Sequence, residues 1–422
     1  MKKLFAYIPL LMLLFACSSE KDLSGQQGEH PKGVVEMPVV IALSGNTSKE
    51  MQTRAGEKEN TDEVHKPAMP GIANVDKVML YIFKSEKQAQ KDFINPDEYT
   101  YMSCLALTDF INVSNGSITI KHNGKDMSIP VHNGDKVAVG NIKLDPETCY
   151  VIWTVAYAKS QEELFDIAVT ENTTLSELKV QLKGTTNTTP ELFVGCLYCN
   201  QEEADGSWTN MQEFSTTYPI SDFNESTLLF GQLYRSVGRV SVTLTDIPED
   251  IQVISLVSSI FPRSLPAFNK LFMENSADPY SYCYPMGYYN EKLTGEENGT
   301  TVATTTVQTI NGQRTATLSS FFFPFTQATS ETDQSSTAPA INRAYFYVCT
   351  DKGDKYMVKC ADQAVELPTI WMMLYEVLIS QNTFIVPINW DTRISGKFET
   401  LKQGNLKIDL SEMGSEIIGQ LK

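Results

Sequence analysis

The four histidines, His30, His65, His122 and His132, each stand among polar or glycine-rich neighbours, and none has a nucleophile motif such as G-x-S-x-G beside it. "CLYC", Cys196 to Cys199, has the spacing of a redox or zinc pair. It lies, however, in "ELFVGCLYCN", a strand pattern whose residues three apart point to opposite faces, and no second cysteine or histidine pair exists to complete a zinc site. "TDKGDK" lacks the carboxylate ladder of a calcium loop, and no glycine-rich loop is laid out to cradle phosphate. Carboxylates are abundant, but nothing singles out a pair for glycoside hydrolysis, and a solvated surface accounts for them. The chain therefore reads as a protein with no catalytic residues, no cofactor and no metal.

Two other constellations carry chemistry of a different kind. "DPYSYCYPMGYYN", Asp278 to Asn290, gathers Tyr280, Tyr282, Tyr284, Tyr288 and Tyr289 in a loop with two prolines and a glycine. Such a loop could present aromatic faces to a sugar or a protein, or pack them onto its own sandwich. The opening "MKKLFAYIPLLMLLFACSSEKD" places Lys2 and Lys3 before an apolar stretch, Leu4 to Phe15, that is too short to span a bilayer and ends at Cys17. This is an export signal. Leu14-Phe15-Ala16-Cys17 looks like a bacterial lipobox, with Phe15 departing from the small or aliphatic residue usual there. Cys17 is then the lipidation site, and Ser18 to Lys32 the polar tether that follows it.

A formal charge of −17, which becomes −19 when Lys2 and Lys3 leave with the signal, argues against nucleic acid and anionic lipid surfaces as partners. At 422 residues and 42% hydrophobic the chain can bury a large core. Beyond Cys17 the cysteines are Cys104, Cys149, Cys196, Cys199, Cys283, Cys349 and Cys360, an odd set without regular spacing and so no disulfide framework.

The elements that must position these features are strands. "NVDKVMLYIFKS", "CYVIWTVAYA", "ELFVGCLYC", "LYRSVGRVSVTL", "IQVISLVSSI", "TATLSSFFFPF", "RAYFYVCT", "KYMVKC" and "LYEVLIS" are β-branched or aromatic runs bounded by turn residues. "CTDKGDKYMVKC" predicts a hairpin with Asp351 to Asp354 at its turn. Helical periodicity is confined to "SQEELFDIAV" and "TTLSELKVQL", each with a Ser or Thr cap. The fold class is all-β, as sandwiches. The polar stretch Cys199 to Thr227 is the best internal border. It gives a signal peptide at 1–16, a tether at 17–33, an N-terminal domain at 34–230 and a C-terminal domain at 231–422.

Ahead of the first long polar stretch runs "GVVEMPVVIALSGNTSKEMQTRAGEKENTDE", Gly33 to Glu63. Val35, Met37, Val39, Ile41 and Leu43 alternate as the core face of a strand. Pro38 in its middle has no N–H for a ladder, which predicts an edge strand or a bulge. Some twenty polar residues follow, in which Arg54-Ala55 stands clear of other basic residues. At the other end "GKFETLKQGNLKIDLSEMGSEIIGQLK" reads as two short strands around Lys402 to Asn405, with Leu406, Ile408 and Leu410 on one face. Its last residues read equally well as a short amphipathic helix.

Taken together, the lipobox, the apolar first strand, "TRA" in a polar loop, "IANVDKVMLYIFKSE" and the Arg-containing "LYRSVGRVSVTL" resemble the fimbrillin family of Bacteroidales, the subunits of type V pili. The likeness covers the whole layout, but recognisable motifs only in the first eighty-odd residues and near 230–244. It implies two tandem transthyretin-like β-sandwiches and a precursor carried to the outer-membrane surface as a lipoprotein. It also implies an Arg-specific surface protease that cuts between Arg54 and Ala55. The strand Val35 to Leu43 then leaves and the C-terminal strand of another fimbrial subunit fills its place, while Leu406, Ile408 and Leu410 are this chain's own donor residues. The residues leave open whether that terminal strand is a donor or completes its own domain. They also leave open a pilus anchor that keeps its lipid, and a tethered glycan-binding lipoprotein that uses the tyrosine loop.

Overall fold

The computed structural model describes residues 33–43, 72–86, 95–131, 134–201, 220, 223–224, 227–267, 299–323, 345–360, 363–367, 375–379 and 390–412. Nearly all of the regular structure is β. The first half contains β1 (Val35–Leu43), β2 (Lys77–Ser85), β3 (Thr100–Leu107), β4 (Phe110–Asn112), β5 (Ser117–His122), β6 (Lys125–Pro130), β7 (Lys136–Leu144), β8 (Cys149–Tyr157), β9 (Phe165–Asp166), β10 (Lys179–Leu182), β11 (Phe193–Cys196), β12 (Tyr198–Gln201) and β13 (Thr227–Arg235). The second contains β14 (Gly238–Thr245), β15 (Val253–Ser258), β16 (Ser264–Pro266), β17 (Thr300–Thr306), β18 (Gln308–Ile310), β19 (Gln313–Phe322), β20 (Phe346–Thr350), β21 (Lys355–Met357), β22 (Gln363–Leu367), β23 (Tyr375–Ile379), β24 (Trp390–Lys397) and β25 (Lys407–Glu412).

A nine-stranded sheet dominates the first half, in the order β3-β2-β8-β11-β13-β1-β7-β4, with β12 also on β13. It curls on itself, so that Val78, Leu80 and Ile82 of β2 and Ile152 of β8 share one core with Met37, Val39, Ile41 and Leu43 of β1, Ala138 and Ile142 of β7 and Leu229 and Leu233 of β13. The two halves of one sheet thus face each other as a sandwich. The nine residues of β8 are all buried because its other face lies on a second core, closed by the small sheet β16-β10-β9. In the second half the sheet β18-β19-β14-β24-β25 packs on β17-β15-β20-β21, with Val240, Val242, Leu256, Leu318, Val348 and Ile394 between them.

The halves share material. β16 pairs with β10, and Val237, Leu265, Ala267 and Phe323 are buried in the core beneath β8. The chain passes from the nine-stranded sheet to the five-stranded one between Arg235 and Gly238, so position 230 lies inside β13, and we place the border between the two units at 236–237.

Local reading and structure differ at several points. Both expected helices are 3₁₀ turns, Lys159–Leu164 and Leu175–Glu177, that run into β9 and β10. The capping signal held at the second, where Thr174 and Glu177 form a capping box, and not at the first, whose N-cap is Ala158 without a side-chain cap; in both the chain beyond the turn continues as a strand. The turn expected at Lys402 to Asn405 is instead a helix, Phe398–Gln403, closed by Gly404 at φ 77°, a left-handed cap suited to glycine. The hairpin at Asp351 to Asp354 forms as expected, between β20 and β21. Cys196 and Cys199 fall on successive strands and face different cores.

Candidate functional site

The strand singled out by the sequence is β1, and its position corrects the expectation of an edge. It is interior, antiparallel to β7 along its whole length from Val35↔Leu144 to Leu43↔Lys136, and parallel to β13 from Val39↔Leu229 to Leu43↔Leu233. Pro38 is tolerated because it stands one residue ahead of the first parallel pair, where β13 does not yet bond to the strand. The proline thus marks the entry to a two-sided slot.

Nor is β1 covered on one face only. Met37, Val39, Ile41 and Leu43 are fully buried in the sandwich core, and Val35 is half-buried at its margin. Val40 and Ala42, on the opposite face, lie in another core with Val113, Ile118, Ile129, Val137, Leu228 and Phe230. The unbroken apolar run from Val39 to Leu43 was the sequence signal for this second face.

The cover over that face is the β5–β6 hairpin, which forms its own two-stranded sheet, turned by Asn123 (φ 50°) and Gly124 (φ 76°). Asn-Gly between alternating apolar residues is a hairpin signal that the reading of the sequence did not use. Ile118 and Ile129 are the anchors that the hairpin presses onto β1 and its neighbours. Its base is fastened where β4 and β7 meet, by Val113 N–H to Asp135 O and Gly134 N–H to Val113 O, both 3.0 Å.

The two strands that flank β1 are themselves crowded on their faces by neighbouring segments. Gly231 of β13 pairs with Ile41, and a Cβ there would stand 2.6 Å from Leu197 Cδ2 and 3.0 Å from Cys196 O. Gly140 of β7 pairs with Val39, and its Cβ would meet Leu107 Cδ2 at 2.5 Å. At the far end Lys136, the partner of Leu43, donates from Nζ to Ala73 O at 3.2 Å and to Val75 O, and lies 4.7 Å from the Phe110 ring centroid. It thereby fastens the point where the described chain resumes after β1.

A second arrangement was legible only as an arginine in a strand. Arg239 of β14 and Asp391 of β24 are register partners on parallel strands, exposed 2% and 0%. Arg239 donates from Nε to Oδ1 (3.0 Å) and from Nη2 to Oδ2 (2.6 Å), Ser241 Oγ donates to Oδ1 (3.1 Å), and Arg393 Nε to Oδ2 (2.7 Å). Burial pushes the Asp391 carboxyl up, but Arg239 and Arg393 outweigh it and hold the group below its ordinary value. At Glu191, 2.7 Å from Arg235, burial wins and the carboxyl is raised. Both pairs satisfy buried charge and resemble structural clamps more than reactive groups.

Leu406 and Ile408 are buried in the C-terminal core, and β25 is the rim strand of its sheet, paired with β24 from Ser395↔Lys407 to Trp390↔Glu412. Cys17, Arg54, Ala55 and the five tyrosines from Tyr280 to Tyr289 lie outside the described residues. Among the described residues no group of three His, Cys, Asp or Glu is placed to hold a metal ion, and no helix is long and apolar enough to cross a membrane.

No protein-family model and no curated protein matches the chain. Among solved structures it is similar to the fimbrial anchor protein Mfa2 from Porphyromonas gingivalis, with 12% identity over 90% of this chain and 98% of that one at a TM-score of 0.34. It is also similar to the tip fimbrial protein Mfa3 from the same organism, determined with a C-terminal truncation, with 10% identity over 89% of this chain and 98% of that one at a TM-score of 0.31.

Proposed function

We propose that this chain is a fimbrillin-type subunit of a cell-surface pilus, exported as a lipoprotein through Cys17, cut between Arg54 and Ala55, and assembled by replacement of β1. The observation that carries the reading is the state of β1. It is interior and apolar on both faces, yet the sequence joins it to β2 through a long polar stretch that holds the isolated Arg54. Five fully buried large side chains, Met37, Val39, Val40, Ile41 and Leu43, are together worth on the order of 10 kcal/mol. That is comparable with the whole stability of an ordinary domain, so a sandwich that loses β1 must take another strand in its place. β25, with one strand neighbour among the described residues, supports a donor role toward another subunit.

The test is the mature N-terminus on intact cells. The reading expects Ala55 as the first residue of the assembled protein, and an acylated Cys17 retained in an Arg54→Ala variant that no longer enters fibres. Assembled material that begins at acylated Cys17 in the parent chain would overturn the processing step and favour a tethered or anchoring role.

A further inference from the structure

We infer that the β1 slot accepts only a strand that is apolar on both faces, so the occupant that replaces β1 is a partner's strand with apolar residues at successive positions rather than β25 of a second copy of this chain. This rests on the reading of β1 as replaceable and adds the chemistry of its replacement.

Every residue from Met37 to Leu43 is buried. Four of them point into the sandwich core, and Val40 and Ala42 point under the β5–β6 hairpin, against Ile118, Ile129 and Phe230. A strand that satisfies only the first set leaves two positions to be filled beneath the hairpin. Leu406, just ahead of β25, and Ile408 and Leu410 within it alternate in sequence with Lys407 and Asp409. Seated with its apolar residues inward, β25 would place a lysine and an aspartate where Val40 and Ala42 lie. Slipped by one residue, it would send them into the sandwich core instead. Either way two charges lose water without the hydrogen-bond partners that buried charges need. At its own place in the five-stranded sheet Lys407 is exposed and keeps its water.

The hairpin is the selecting element. Among the described residues it pairs with no third strand, and a two-stranded hairpin has little stability alone, so it keeps its place through apolar contact with the sheet beneath it, to which the occupant's outer face contributes. An occupant with charges there is disfavoured twice, by its own desolvation and by loosening the cover.

The experiment uses the full chain with one engineered protease site beside Arg54, cut so that β1 is held without a covalent link, then incubated with labelled peptides and read by native mass spectrometry. A peptide copying Gly33 to Leu43 should exchange into the slot. The same peptide carrying Val40→Lys and Ala42→Asp, and a peptide copying 404–412, should be taken up about 100-fold less well. An Ile118→Ala hairpin should shrink that discrimination. Uptake of either charged-face peptide within roughly tenfold of the β1 copy would overturn the selection rule while leaving strand replacement intact. Failure of the β1 copy itself to exchange would overturn strand replacement and the rule with it.

Discussion

β1 and β25 are both short strands with an apolar face, and the sequence suggests exchange for each, β1 as the strand that leaves and β25 as a donor. In the structure β1 has strand neighbours on both sides and cores on both faces, while β25 has β24 as its single strand neighbour among the described residues and an exposed lysine on its outer face. The difference teaches that a strand held by burial and a strand held at a rim pose different exchange problems. Removing the first dismantles a domain, whereas removing the second shortens a sheet.

The sharpest way to break this comparison is to place the same charge in both strands. Ile41→Asp should prevent the N-terminal unit from folding, a cost above about 5 kcal/mol, because the carboxylate has no route to water from the middle of the sandwich. Ile408→Asp should cost distinctly less, since a rim strand can fray. Chemical denaturation, followed separately for the two units through hydrogen exchange, reads both. Equal losses would mean that β25 is as locked in as β1.

The C-terminal unit has its own interior strand in β24, and its lock is charge. Asp391→Asn removes one partner of a buried bidentate pair and should cost about 3 to 5 kcal/mol. The sign of the pH dependence follows from the direction of the shift. A carboxyl held below its ordinary value of 3.8 contributes stability that is fully present above that value and lost as pH falls through the lower, folded one. The gap between the urea midpoints at neutral pH and near pH 3 should therefore be smaller in Asp391→Asn than in the parent chain. Glu191 works in the opposite sense. Its raised carboxyl favours the protonated form in the fold, so its contribution is greatest below the ordinary value of 4.5 and declines as pH rises through the folded one.

The inward residues of β1 were legible because a two-residue period needs only local sequence. Its interior position was not, because Pro38 argues for an edge and only the onset of the β13 ladder at Val39 reconciles the two. The hairpin over Val40 and Ala42 announced itself in Asn123-Gly124, but what it covers depends on how the sheet curls. Arg239 could be seen as an arginine in an apolar strand, while its partner lies 152 residues away, beyond any pattern of spacing. The lipidation and cleavage residues rest on sequence alone, since they fall outside the described residues.

The hairpin offers a milder way to sharpen the comparison. Ile118→Ala should cost about 2 to 3 kcal/mol, at the low end for a buried isoleucine because the hairpin can settle into the space. Its signature is local: amides of β1 should exchange faster while those of β25 are unchanged. Equal acceleration in both would show that the cover acts on the whole molecule.

The smallest effect concerns the charge carried by β1 itself. Glu36 lies 3.5 Å from Lys143 on the neighbouring β7, both side chains about half exposed, where an ion pair gains little over its solvated alternatives. Glu36→Gln should therefore shift stability by less than about 0.5 kcal/mol, and added salt should erase even that. The result separates two accounts of what keeps β1 in place. If burial of Met37 to Leu43 does it, the rim charge is close to silent and peptide exchange into the cut protein is indifferent to Glu36. If Glu36→Gln instead released β1 readily at low salt, the entry end of the strand, ahead of Pro38, would be the latch, and the buried run would only be along for the ride.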